Sequence, residues 1–349
     1  MRSLTGKDIR LLLVCLLLAV ASGALNAHPV GTVLPFAVAA LALAALATLV
    51  GRCVDALGDR LGAGATGVVQ SALGNLPELF VCLFALRAGL DDVVRAAIVG
   101  SVLSNVLLVL GLAFVAGGLK HGTQRFDAEP ARATGLLLLL AVSVLLLPAL
   151  TSSLHTPAAG HEVAFSRITA VVLLAVFALS LPGTLKKAEG APEEGAARWP
   201  LWLSLGLLAL SGAAAAFVSD WFVTALTPAT TALGLSQTFA GLVVVAIAGN
   251  AVENVVGIQL AVRGRVDYAL SVILQSPLQI ALVLAPVLVL LAPLVGASFT
   301  LVLSPLLIAV LVIAVLVTVV VVFDAESTWL EGVALLALYI VMATAFFWG

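Results

Sequence analysis

The chain has 349 residues, of which 62% are hydrophobic and 10% charged, with a formal net charge of −2. Its mean hydropathy is +1.23. Soluble domains carry about 45–50% apolar and about 25% charged residues, so this composition excludes an ordinary soluble fold and defines an all-α polytopic membrane protein whose partner is the lipid bilayer. No nucleic-acid partner is expected, and the sequence leaves a homo-oligomer open.

A bilayer core takes about 20 apolar residues per helix. Runs of that kind fall at about 10–26, 32–50, 64–86, 93–117, 133–150, 167–185, 200–223, 234–262, 268–293, 297–322 and 329–348, which predicts eleven transmembrane helices. The first follows a basic start and ends near Ala21-Ser22-Gly23-Ala24, a pattern shared with signal peptides. It is read as a retained leading helix, because without it the next helix would lack a basic cytoplasmic leader. With the N-terminus in the cytoplasm, thirteen of the 16 Lys and Arg residues fall inside and only Arg87, Arg95 and Arg167 outside. That bias places the C-terminus outside, and the membrane is expected to be a bacterial inner (plasma) membrane. Cys15, Cys53 and Cys82 sit in or beside apolar runs without metal-ligand spacing and are read as small packing residues.

Sliding the chain by 175 residues superimposes Gly74, Asn75, Glu78, Gly89, Asp92 and Ser101 on Gly249, Asn250, Glu253, Gly264, Asp267 and Ser276 without a gap. Matches of this kind in so apolar a chain mark a duplicated unit. Five helices separate each feature from its twin, and an odd number makes the copies cross the membrane in opposite senses. The expected organisation is a leading segment, 1–30, followed by two inverted-topology five-helix repeats, 31–186 and 199–349, joined by a polar cytoplasmic linker, 187–198.

Glu78 and Glu253 are the features that demand a function. A carboxylate at bilayer depth costs roughly 2.5–3.5 kcal/mol, and intramembrane acids face cavities or ion paths. On the third helix Ser71, Asn75 and Glu78 share a face, and on the eighth Asn250, Glu253 and Gly257 do the same. The fourth helix adds Ser101, Ser104 and Asn105, the ninth Ser271, Gln275, Ser276 and Gln279. A single Ser, Asn or Gln in a membrane helix is usually an interhelical contact worth about 0.6 kcal/mol; two matched glutamates are not explained that way. Pro77 cannot donate to the carbonyl of Leu73, nor Pro277 to that of Ile273, and free carbonyls at membrane depth belong to cavities or cations. Carboxylates, amides, hydroxyls and carbonyls are hard donors suited to Ca²⁺, and no His lies within an apolar core.

The segments Gly74–Gly118 and Gly249–Ala292 resemble the two alpha-repeats, at about 64–118 and 234–293, of the cation/proton exchanger family, the H⁺/Ca²⁺ branch of the calcium/cation antiporters. Gly100-Ser101-Val102-Leu103-Ser104-Asn105 through Gly111 is close to the family pattern, as is Trp329-Leu330-Glu331-Gly332. The resemblance implies exchange of Ca²⁺ for H⁺ by alternating access, without a cofactor. Glu78 and Glu253 would be the ion-binding and proton-coupling acids, flanked by Asn75, Asn250, Ser101, Asn105, Ser276 and Gln279. The chain departs from the family at Asn254, where His is common, at Gln275, where Gly is expected, and at Pro277; Pro77 resembles the sodium-coupled branch. Exchange involving Na⁺, against Ca²⁺ or H⁺, is therefore the alternative, and a passive cation channel the next. An enzyme is not expected, since an intramembrane zinc protease would need an H-E-x-x-H helix. Asp55 and Asp59 read as a solvated rim, Asp92 and Asp267 as helix starts, and Thr328 with Glu331 as a capping box.

Overall fold

Lipid offers no partner to backbone N–H and C=O groups, so each apolar run satisfies them internally as helix. The computed structural model describes residues 4–187 and 199–347, leaving aside the side chains of 55, 58–73, 181–187 and 252–253. The linker from 188 to 198 and the side chains of Asp55, Asp59, Ser71 and Glu253 thus lie outside the described residues.

α1 (Gly6–Ala27) is followed by α2 (Val33–Leu73) and, after a break at Gly74–Asn75, by α3 (Leu76–Arg87). α4 (Asp91–Leu103) continues through a π-helical segment, Ser104–Val109, into α5 (Leu110–His121). Strand β1 (Gln124–Arg125) leads to α6 (Ala128–Ser153) and α7 (Glu162–Lys187). The second part begins with α8 (Leu201–Leu233), α9 (Gln237–Phe239), a π-helical segment at Ala240–Val245 and α10 (Ala246–Gly249). After a break at Asn250 come α11 (Ala251–Val262), α12 (Val266–Gln279), a third π-helical segment at Ile280–Leu284 and α13 (Ala285–Leu291). α14 (Pro305–Val321), strand β2 (Glu326–Ser327) and α15 (Trp329–Phe347) complete it. Among the described residues eight helices are long and apolar enough to cross a membrane, nine if the pair Gln237–Gly249 and Asn254–Val262, bent by 62°, is one span. The chain is an integral membrane protein.

Three boundaries differ from expectation. The gap expected between the second and third spans is absent: α2 is continuous over 41 residues, because no proline lies between Pro35 and Pro77 and glycines alone weaken a helix without ending it. α8 runs ten residues past 223, through Pro228, and stops where Gly234 takes φ 66°. α14 starts at Pro305 rather than near 297, because Ser304 accepts from the Leu307 amide and proline suits the first helical position.

Local structure recurs at the 175-residue offset. α3 and α11 have 12 residues each and follow Asn75 (φ −92°, ψ 15°) and Asn250 (φ −101°, ψ 22°). Gly89 and Gly264 both take φ 74°, a turn that only glycine makes without strain. Asp92 and Asp267 stand in the first turns of α4 and α12 as expected. The π-helical segments after α4 and α12 correspond as well.

Lipid tails are as apolar as leucine, so close backbone approach must supply much of the helix–helix attraction. Glycine provides it. A Cβ at Gly100 would overlap the Leu242 carbonyl, and one at Gly241 the Val93 carbonyl, so α4 lies directly on the segment before α10. Gly111 and Gly332 bring α5 onto α15, where an added Cβ would stand 2.9 Å from the Gly332 carbonyl or 2.6 Å from the Gly111 carbonyl. β1 and β2 pair antiparallel, Gln124 opposite Ser327 and Arg125 opposite Glu326, and tie the same two helices at one end. The leading helix docks through buried Asp8, which binds Arg52 of α2 at 2.9 Å and closes the Thr5 capping box. The expected Thr328–Glu331 box is present, with the Thr328 amide donating to Glu331 at 2.8 Å. All three cysteines are buried.

Gly100→Ala should abolish a monodisperse folded peak in detergent size-exclusion chromatography, since its methyl group meets backbone that cannot rotate away. Gly206→Ala, with nothing within 4 Å, should be tolerated and raise stability by up to about 1 kcal/mol. Equal behaviour of the two variants would refute the close crossing.

Candidate ion-binding site

Breaking a helix at membrane depth brings side-chain amides and unpaired backbone groups to the same level, and here both breaks fall at asparagine. Glu78 is the third residue of α3 and 1% exposed. The positive end of the α3 dipole therefore points at its carboxylate. Ser101 on α4 donates its hydroxyl to Glu78 Oε1. Asn105, one turn further, donates Nδ2 to the Ser101 carbonyl at 2.8 Å and to Asn250 Oδ1 at 3.4 Å. Asn250 also accepts from Ser276 Oγ at 3.1 Å and donates Nδ2 to the Ala246 carbonyl at 2.9 Å. A continuous polar chain thus runs from Glu78 through Ser101, Asn105 and Asn250 to Ser276. It joins α3, α4, the second break and α12. A separate contact joins the first break to the same helix: Asn75 Nδ2 donates to Gln279 Oε1 at 3.4 Å. All seven residues are buried.

The network leaves oxygen acceptors over. Ser104 Oγ, Asn105 Oδ1 and Asn254 Oδ1 are enclosed and have no hydrogen-bond partner among the described residues. A buried acceptor without a donor costs roughly 1–3 kcal/mol, and a cation is a partner that oxygen acceptors can share. The donor set is hard throughout, as Ca²⁺ prefers.

Of the residues singled out from the sequence, Asn75, Glu78, Ser101, Asn105, Asn250, Ser276 and Gln279 come together. Glu253 is the third residue of α11, as Glu78 is of α3, with its side chain outside the described residues. Asn254 is half-buried beside it. Leu73 ends α2, so its carbonyl stands at a helix terminus rather than in mid-helix. Pro77 falls in the first turn of α3, where a missing N–H breaks no helical bond. Pro277 does lie inside α12, and the π-helical stretch follows it. Ser271 stays apart, in an open cleft of about 700 Å³ with Asp127, Asp267 and Tyr268. Gly257 is a packing glycine, its hypothetical Cβ 2.6 Å from Ile273.

Sequence reasoning missed Gly249 as a neighbour of the acid. Its hypothetical Cβ lies 3.3 Å from Glu78 Cβ and Cγ, so the second break is seated directly on the Glu78 side chain. The signal was present in the Gly–Asn pair, which the sequence shows only as matched positions of the two segments. It also missed the enclosed cavity beside Glu78, walled by Leu43, Val81, Phe222 and Val245, with room for about one water molecule. Apolar walls leave no mark in so apolar a sequence.

Apolar helices, two of them interrupted where buried amides and an acid meet, define an ion-translocating membrane protein. The model of the sodium/calcium exchanger protein family matches residues 31–184 and 203–348, and the chain belongs to that family. It is 34% identical over 335 residues to a Ca²⁺/H⁺ antiporter of Aphanothece halophytica, covering 89% of both chains. Identity to the Ca²⁺/H⁺ antiporter ChaA of Bacillus subtilis is 33% over 320 residues, covering 89% of this chain and 91% of the relative. The solved structure of native YfkE superposes with a TM-score of 0.81 at 30% identity, over 96% of this chain and 99% of that one.

Gly249→Ala should weaken Ca²⁺ binding severalfold while leaving the melting temperature near that of the parent, because its methyl group displaces Glu78 by a few tenths of an ångström. Titration calorimetry in detergent checks this, and unchanged affinity would show that the close approach is immaterial to the site.

Proposed function

We propose that this protein is a secondary antiporter that exchanges Ca²⁺ for H⁺ across the membrane by alternating access. The observation that carries the reading is the buried polar chain linking Glu78 to both helix breaks. Glu78 and Glu253 are the ion-binding and proton-coupling acids. Asn75, Asn250, Ser101, Asn105, Ser276, Gln279, Asn254 and the Leu73 carbonyl support them. Two carboxylates neutralise one Ca²⁺, and two protons neutralise the same pair. A site that is either loaded or protonated crosses the low-dielectric interior without net charge, whereas the empty ionised pair does not. That difference couples the two fluxes. The protein makes and breaks no covalent bond and takes no cofactor.

The architecture assigned to it is a leading helix and two five-helix repeats of inverted topology, eleven helices in all. The linker and N-terminus are cytoplasmic, the C-terminus is outside, and the membrane is a bacterial inner membrane. The matched breaks at Asn75 and Asn250, the matched Gly89 and Gly264 turns and the matched π-helical segments support the duplication. The bias of Lys and Arg supports the orientation.

In proteoliposomes, a proton gradient should drive concentrative ⁴⁵Ca²⁺ uptake, and Glu78→Gln and Glu253→Gln should each abolish it without loss of the folded peak. Uptake driven by a Na⁺ gradient would select the sodium-coupled alternative, to which Pro77 already bears a likeness. Equilibration without accumulation would select a channel. Protonation removes the charges that hold Ca²⁺, so the apparent affinity should fall as pH falls, with a limiting slope of about two protons per Ca²⁺. Binding titrations from about pH 5 to 9 test that. A pH-independent dissociation constant would refute direct proton competition.

Cysteine labelling from each side provides the topological test. Residues 187–198 should react from the cytoplasm and 152–161 from outside. Reaction of both loops from one side would overturn the inverted arrangement.

A further inference from the structure

α8 has a single ionisable residue among its 33, Asp220. It stands about 29 Å along the helix axis from Leu201 at 1.5 Å per residue, which brings it to the far edge of a hydrocarbon core about 30 Å thick. Its side chain is exposed and has no ion-pair partner among the described residues. It borders an open cleft of about 430 Å³ between α3 and α8. Thr224 and Thr227, one and two turns on, extend the polar stripe, and Phe84 and Arg87 face them from α3.

The cleft lies in line with the ion site. The enclosed cavity beside Glu78 is bounded by the same two helices, through Val81 on α3 and Phe222 on α8. Val81 and Phe84 are three residues apart, about 4.5 Å along the axis, and Phe222 adjoins Val223 of the cleft wall. One turn of helix therefore separates open cleft from enclosed site. Phe222, at the cavity wall, is fully buried and its ring is stacked on Phe36 at 4.9 Å between centroids.

We propose that the α3–α8 cleft is the cation access mouth on the face that bears Arg87, with Asp220 concentrating Ca²⁺ there and Arg87 opposing it. The inference rests on the antiport reading above. A charge at the rim of a cleft with low-dielectric walls changes the local concentration of a cation on that side only, and leaves the translocation step alone. The two rim charges have opposite signs, so removing either should move the apparent affinity in opposite directions.

The test is initial-rate ⁴⁵Ca²⁺ transport in proteoliposomes of defined sidedness, with Ca²⁺ varied on one face at a time. At low ionic strength Asp220→Asn should raise the half-saturating Ca²⁺ concentration on the Arg87 face by about three- to tenfold. The value on the opposite face and the maximal rate should stay unchanged. Arg87→Gln should lower the same value, and Asp220→Glu should preserve it. The differences should vanish near 1 M KCl, where the Debye length is about 3 Å. Equal shifts on both faces, shifts that persist in high salt, or parent-like values in both charge-removing variants would overturn the proposal. If the parent transports and the variants match it, only the mouth is wrong. A parent that carries no Ca²⁺ overturns the mouth and the antiport reading together.

Discussion

The carboxylate of Glu78, 1% exposed within a bundle of apolar helices, is the constraint around which the rest is arranged. Each neighbouring feature makes that burial tolerable or useful. A break at Gly74–Asn75 places the acid in the first turn of a new helix, where the amide dipoles favour negative charge. Ser101 presents a hydroxyl to one oxygen. Gly249, having no side chain, lets the second break come within van der Waals distance of the acid. Exchange Ser101 for a bulky apolar residue and the carboxylate loses a hydroxyl donor that lipid does not replace.

The backbone breaks fall at matching offsets, and the polar chain runs from the acid after the first to the asparagine of the second. Ser101 and Ser276 stand 175 residues apart. The first donates to Glu78, the second to Asn250. Asn105, whose counterpart at the offset is Ile280, links the two stretches by donating to Asn250. Similar backbone geometry at the two breaks is therefore tied together by side chains, so that a shift at one break is felt at the other.

Much of this was legible in the sequence for definite reasons. Gly-Asn before an acid is rare enough in an apolar chain to be noticed, and its recurrence marks both acids and leads to most of the buried network. Helix ends with local signals were readable in principle: Ser304-Pro305 marks the start of α14 and Thr328 with Glu331 the start of α15. The continuous α2 was not legible, because a string of glycines gives equal licence to a loop and to a close-packed helix. Nor were the crossings at Gly100 and Gly241, since which backbone a glycine will meet depends on distant residues. Asp220 carries no local signal, because it lies three residues before the end of the apolar run, where an acid reads as a helix end; α8 continues through the threonines and Pro228 beyond it.

The glycine crossings have a mechanical consequence. Where backbone rests on backbone, sliding by an ångström turns contact into overlap, so α4 with the segment before α10, and α5 with α15, behave as stiff units; the two-residue ribbon of β1 and β2 rivets the second pair at its end. Each such pair therefore moves as one body, and the first carries Ser101 of the polar chain with it.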